Sequence, residues 1–141
     1  MNGYNPMTWE CEKSGCFNKV KRPKIEMFHE CFYGKISMSD IDAAVEVNGN
    51  FLFIEWKSGG GKLKLAQKIF FERLTRHANI GVFIVSGDAE TMRIDGYSVI
   101  SGGVHHDVFV PCDLDGFRKV LRDFNNWAVK NPCTEGYSPN E

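Results

Sequence analysis

No run of about eighteen or more apolar residues occurs anywhere in this 141-residue chain, so the sequence offers no transmembrane helix. The N-terminus, Met1-Asn2-Gly3-Tyr4-Asn5-Pro6, lacks the basic-then-apolar order of a secretory signal, and a soluble, cytoplasmic protein with no membrane partner is expected. Net charge is also missing. Seventeen Lys and Arg stand against 18 Asp and Glu, which leaves −1 and no general basic field, so any polyanion must be held by local patches. The five cysteines are an odd number in a chain without an export signal, which argues against a disulfide framework. There are no internal repeats and no second domain. At 43% apolar and 13% aromatic residues the chain can bury a single core. One domain is expected over 1–141, with the core at about 25–130, a basic N-terminal segment and a loose C-terminal tail.

The pattern that is present reads as α/β. Ile25 to Phe32 suits a short helix, and the strands Ile41 to Val47 and Phe51 to Lys57 flank Asn48-Gly49, the strongest short hairpin signal. Lys64 to His77 reads as a helix with Leu65, Ile69, Leu74 and Phe70 as its apolar stripe, and Asn79 as its terminator. Ile80 to Ser86 is almost wholly apolar, as in a strand buried on both faces, and a helix between two strands suggests a right-handed crossover. Tyr97 to Ile100 and Val104 to Val110 read as edge strands separated by Ser101-Gly102-Gly103. Asp113 caps a last helix carrying Phe117, Val120, Leu121, Phe124 and Trp127, which Pro132 ends.

The chemistry concentrates on the hairpin. Side chains two apart on a strand share a face, so Glu55 and Lys57 point together while Leu52, Ile54 and Trp56 point away. Pairing through the turn brings Asp42 near them. Two carboxylates and an ammonium then converge at the open end of an apolar hairpin. Mg²⁺ or Mn²⁺ needs only one or two carboxylates beside its waters and a substrate phosphate, and a neighbouring Lys orients the nucleophile and offsets developing charge. Asp42 and Glu55 are the expected metal ligands, joined by the backbone carbonyl of Trp56, whose ring packs the core behind the acids.

Asp42, the hairpin and Glu55-Trp56-Lys57 resemble the PD-(D/E)xK nuclease superfamily. The stretch Ser39-Asp40-Ile41-Asp42-Ala43-Ala44, then Phe51 to Ser58 and Gln67, is most similar to the Holliday-junction-resolvase-like and VRR-type branch, especially its small phage-encoded nucleases. The resemblance covers roughly residues 36 to 86. Ala43 stands where that pattern has Gly, and Met38-Ser39 stands in place of the Pro that gives the superfamily its initials. It implies a restriction-endonuclease-like core, a central mixed β-sheet flanked by helices. It also implies a Mg²⁺- or Mn²⁺-dependent DNA endonuclease in which Lys57 activates or positions water and Gln67 supports the site. An additional acid is expected from the first helix, with Glu30 ahead of Glu26, Glu12 and Glu10. Asp40 is a similar candidate, sharing a face with Asp42 if the strand begins that early.

Two basic patches would hold the phosphates of branched or duplex DNA. One contains Lys13, Lys19, Lys21, Arg22 and Lys24; the other contains Lys62, Lys64, Lys68, Arg73 and Arg76, opposed only by Glu72. A homodimer, addressing two strands with two sites, fits the resemblance. Two other readings stand beside this one. A nuclease-fold module could bind DNA or a host protein without cleaving. A zinc-stabilised interaction protein would use Cys11, Cys16, Cys31 and His29, but the wide Cys11-x4-Cys16 spacing and the His29-x-Cys31 pair make reduced thiols the better expectation, with Cys112 and Cys133 too distant to join them. His105 and His106, adjacent on a strand, cannot both reach one site and are kept out of the mechanism.

Overall fold

A computed structural model describes Pro23, residues 25–34, Ile36, residues 38–59 and residues 61–134. The chain divides into two compact units between Asp40 and Ile41. In the first, Ile25–Cys31 forms a 3-10 helix. The second contains β1 (Ala43–Val47), β2 (Asn50–Ser58), α1 (Leu65–Leu74), β3 (Ile80–Asp88), β4 (Arg93–Ser101), β5 (Val104–Pro111) and α2 (Leu114–Lys130).

The Asn48-Gly49 turn takes the hand that hairpin twist demands. Both residues have positive φ, 56° and 85°, which is the primed two-residue turn that Asn-Gly favours, and Val47 pairs with Asn50 across it. Gly102 and Gly103, at φ 59° and 83°, make a second such turn between β4 and β5. The five strands lie in the order β1-β2-β3-β4-β5. Only β2 and β3 are parallel; the other neighbours are antiparallel, and α1 is the connection between the parallel pair. The fold is therefore α/β with a mixed sheet.

Alternation sorts the sheet's side chains between two helices. Phe53, Val82, Ile84 and Ile100 pack with Phe71 and Leu74 of α1. Their strand neighbours Ile54, Trp56, Phe83 and Val85 pack with Phe117 and Leu121 of α2. The inner strands are thus covered on both faces while the edge strands β1 and β5 stay largely exposed, and β3 at the centre carries the apolar run. Val82, Val85 and Ile100 are wholly enclosed; each such side chain contributes about 1.5–3 kcal/mol relative to exposure. Asp113 caps α2 as its residue type suggests, accepting 2.8 Å from the backbone N–H of Gly116.

Several sequence expectations give way. β4 begins at Arg93 rather than Tyr97 and is an interior strand, since β5 covers it. The helix expected over Lys64 to His77 is shorter, and its apolar stripe lies elsewhere: Leu65, Ile69 and Phe70 are exposed, while Gln67, Phe71 and Leu74 face the sheet's side. A ten-residue helix whose inward face must also reach Glu55 is positioned by tertiary contacts rather than by its own periodicity. Trp127 is half exposed, and Ala128 is the residue α2 buries at that end. Among the described residues no helix is long and apolar enough to cross a membrane.

Candidate active site

Glu55 and Lys57 fall on the α1 face of β2, with Phe53, for the simple reason that strand side chains alternate. Gln67 lies one turn before Phe71 on α1, which is the buried anchor of that helix, so its amide is carried over the same face. The three side chains close a ring. Lys57 Nζ donates to Gln67 Oε1 at 2.7 Å, Gln67 Nε2 donates to Glu55 Oε1 at 2.9 Å, and Lys57 Nζ stands 3.2 Å from the same Glu55 oxygen. Only one orientation of the Gln67 amide fits, because the reverse would set its N–H2 against the ammonium and its oxygen against the carboxylate. Both donors converge on Oε1, which leaves Oε2 turned to other uses.

Asp42 arrives from the other strand. The ladder of β1 ends where Ala43 faces Ile54, and just past it Asp42 Oδ2 accepts the backbone N–H of Trp56 at 2.7 Å. The side chain thereby replaces the missing strand partner. The N–H and C=O of one strand residue leave the same edge, so the Trp56 carbonyl is directed to the side that Asp42 occupies. The Trp56 ring lies on the opposite face, within the α2 core, where its Nε1 donates to the Gly87 carbonyl at 3.2 Å.

Burial pushes the Glu55 carboxyl above its ordinary 4.5. The hydrogen bond from Lys57 pulls it back, the charge of Asp42 pushes it up again, and the Lys57 charge and Gln67 bond lower it somewhat. A carboxyl raised in this way holds its proton more tightly folded than unfolded, so its ionisation lowers stability as pH climbs from the usual carboxylate range through the raised value. Glu55→Gln removes that titration. The variant is expected to gain stability relative to the wild type between pH 4 and pH 7, by urea unfolding at both values. A relative loss over that interval would contradict the raised value.

The other candidates lie on separate elements. Glu30 is exposed on the 3-10 helix, and Asp40 does not share a strand face with Asp42, because β1 begins only at Ala43; both belong to the first compact unit. Lys62, Lys64 and Lys68 are exposed along the approach to α1 and its first turns, with Lys68 3.8 Å from Glu72. Lys21, Arg22, Lys24, Cys11, Cys16, Glu10 and Glu12 lie outside the described residues, as do the side chains of Glu26 and His29; Cys31 is an exposed free thiol. His105 Nε2 is 3.0 Å from Ser98 Oγ, and His106 Nε2 is 3.1 Å from Ser101 Oγ, each engaged on its own face. Among the described residues no three or more His, Cys, Asp or Glu side chains gather at one point, and a hard cation that keeps its waters needs no such group.

Sequence reasoning missed two things here. The Asp42 bond to the Trp56 amide has no sequence signal beyond the register itself. Asn50, almost fully enclosed at the start of β2, donates from Nδ2 to three carbonyls, those of Val47, Asn131 and Ala128. Asn next to an Asn-Gly turn reads simply as more turn. Comparison with family models, curated proteins and solved structures returned no match.

Proposed function

We propose that this chain is a divalent-metal-dependent nuclease of the PD-(D/E)xK type, cleaving DNA phosphodiesters at the end of the β1–β2 hairpin, on a restriction-endonuclease-like core. What supports the reading most is the joining of Asp42 to the Trp56 amide beside the closed ring of Glu55, Lys57 and Gln67. The donor set is all hard oxygen, namely Asp42, Glu55 and the Trp56 carbonyl, which suits Mg²⁺ or Mn²⁺ and not a thiolate-seeking metal. When bound, the cation supplies Lewis acidity to the phosphodiester and to the attacking water.

The chain's own residues do the rest. Gln67 holds Glu55 and Lys57 in fixed relation, so neither needs to be ordered at the moment of reaction. The Lys57 side chain, 17% exposed, carries its Nζ beside the reacting phosphate and orients the water. Water oxygen bonds to phosphorus, the ester P–O bond breaks, and the products are a phosphate monoester and a free hydroxyl. Incubation with branched, single-stranded and duplex DNA in Mg²⁺, Mn²⁺ or EDTA tests the proposal. Metal-dependent cleavage of at least one substrate is expected; none with any metal would leave a non-catalytic module as the better account.

Lys62, Lys64 and Lys68 contact phosphates in this reading. Replacing all three with Gln should weaken binding alike for unrelated sequences and reduce the slope of log affinity against log salt, by about three at most. Binding across a salt series in Ca²⁺ checks this. An unchanged slope would remove α1 from the DNA face.

A further inference from the structure

The row of the sheet that carries Lys57 continues beyond the candidate site. Lys57 stands in register with Ser86 on β3, and Ser86 with Gly96 on β4. All three positions are on the α1 face, because Val82 and Ile84 of β3 and Ile100 of β4 pack against that helix and side chains alternate along each strand. Two strand spacings, about 10 Å, separate Lys57 from Gly96.

Phe109 closes the row. A Cβ built on Gly96 would collide with Phe109 Cζ and stand 2.8 Å from its Cε1, so glycine is the residue that lets the ring rest on β4. The course of β5 delivers it there. Val99 pairs with His106 and Tyr97 with Val110, which leaves Ser98 opposite residues 107 to 109, and a bulge of this kind re-aims the side chains it carries. Phe109 joins neither buried cluster and is 52% exposed. An aromatic ring is thus seated on bare backbone, open to water, on the face that holds Glu55, Lys57 and Gln67.

DNA offers such a ring few partners. The exposed carboxylate of Asp107, two residues back on β5, disfavours a phosphate there. Base faces inside a duplex are already stacked on one another, so an unpaired base is the part of the strand with a face to give. We infer that Phe109 stacks on an unpaired base in a nucleotide flanking the phosphate cut at Lys57, so that the substrate is DNA with a single-stranded stretch at the cut. This rests on the nuclease reading and names the substrate class of that site.

Fluorescence anisotropy with the full chain in Ca²⁺ tests it, on a short labelled single strand, the same strand in duplex, and a series of single strands each carrying one abasic position. The wild type should prefer the single strand, and Phe109→Ala should lower the ratio of single-strand to duplex affinity about tenfold. Phe109→Tyr, which keeps an aromatic face, should retain the ratio; Phe109→Leu, apolar without one, should lose it. Thermal melting checks that each variant is folded. With the wild-type protein, one abasic position or two adjacent ones should weaken binding about tenfold while the rest do not. A wild-type preference for duplex, a ratio unchanged in Phe109→Ala, Leu serving as well as Phe, or abasic strands that all bind alike would overturn the inference. Cleavage in Mg²⁺ separates the two readings. Cutting that is indifferent to Phe109 would keep the nuclease and remove the stacked base, whereas a ratio that falls in Ca²⁺ without cutting in any metal would keep the stacked base and remove the cut.

Discussion

Under the proposed nuclease function, Asp42→Ala or Glu55→Ala is expected to reduce metal-dependent cleavage at least about a thousandfold, since each removes a carboxylate that would hold a cation worth several kcal/mol of the barrier. The two replacements should differ in stability. Asp42 is exposed and gives up one hydrogen bond to the Trp56 amide, a cost of about 1 kcal/mol. Glu55 is buried and faces Lys57; its loss leaves an ammonium with Gln67 as its remaining partner in the ring. Single-turnover cleavage of a labelled substrate, beside urea unfolding of each variant, separates lost chemistry from lost fold. Wild-type rates in either folded variant would remove these carboxylates from the reaction.

Asn50→Leu should unfold the protein more readily than any substitution at the site, by about 2–4 kcal/mol. The change deletes the donor to the carbonyls of Val47 and Asn131 at 3.1 and 2.9 Å, and puts an apolar group where buried acceptors expect an N–H. For a chain of this length the melting temperature should fall by roughly 8–15 °C. Urea unfolding with an unchanged slope would show that the native state alone has lost stability. A loss under about 1 kcal/mol would mean that water replaces the amide at little cost.

What the sequence made legible was whatever depends on strict local rules. Asn48-Gly49 is a turn because few residues tolerate its dihedrals, and Glu55 and Lys57 share a face because strand period is two. Asp113 caps α2 for the same local reason. Helix period decided less. The stripe through Leu65 and Ile69 is as regular as the one through Gln67, Phe71 and Leu74, and only packing against Val82, Ile84 and Ile100 selects the second. The start of β4 was hidden because Asp95 and Gly96 are poor strand residues, yet Arg93, Ile94 and Gly96 pair with β3 across a register shift that skips Asp95. At the site, residue identities were readable but their bonding was not. Nothing in the spacing indicates that Gln67 would donate to one neighbour and accept from the other, or that Asp42 would engage a backbone amide.

The turn end of the hairpin is gripped as firmly as its open end is chemically loaded. Besides the Asn50 bonds, Asn48 Nδ2 donates to the Val129 carbonyl at 3.1 Å, and the Cys133 N–H donates to the Asn48 carbonyl at 2.9 Å. Burial does little to fix this register, because the side chains of β1 are exposed apart from a half-buried Val47. It is blind to a slide of two, which returns each residue to its own face. Such a slide would carry Asp42 about 7 Å along β2, past Trp56, with the core still satisfied. The grip of α2 and its exit on the turn is what distinguishes these two frames, so the alignment of the carboxylates is kept from the far end of the sheet.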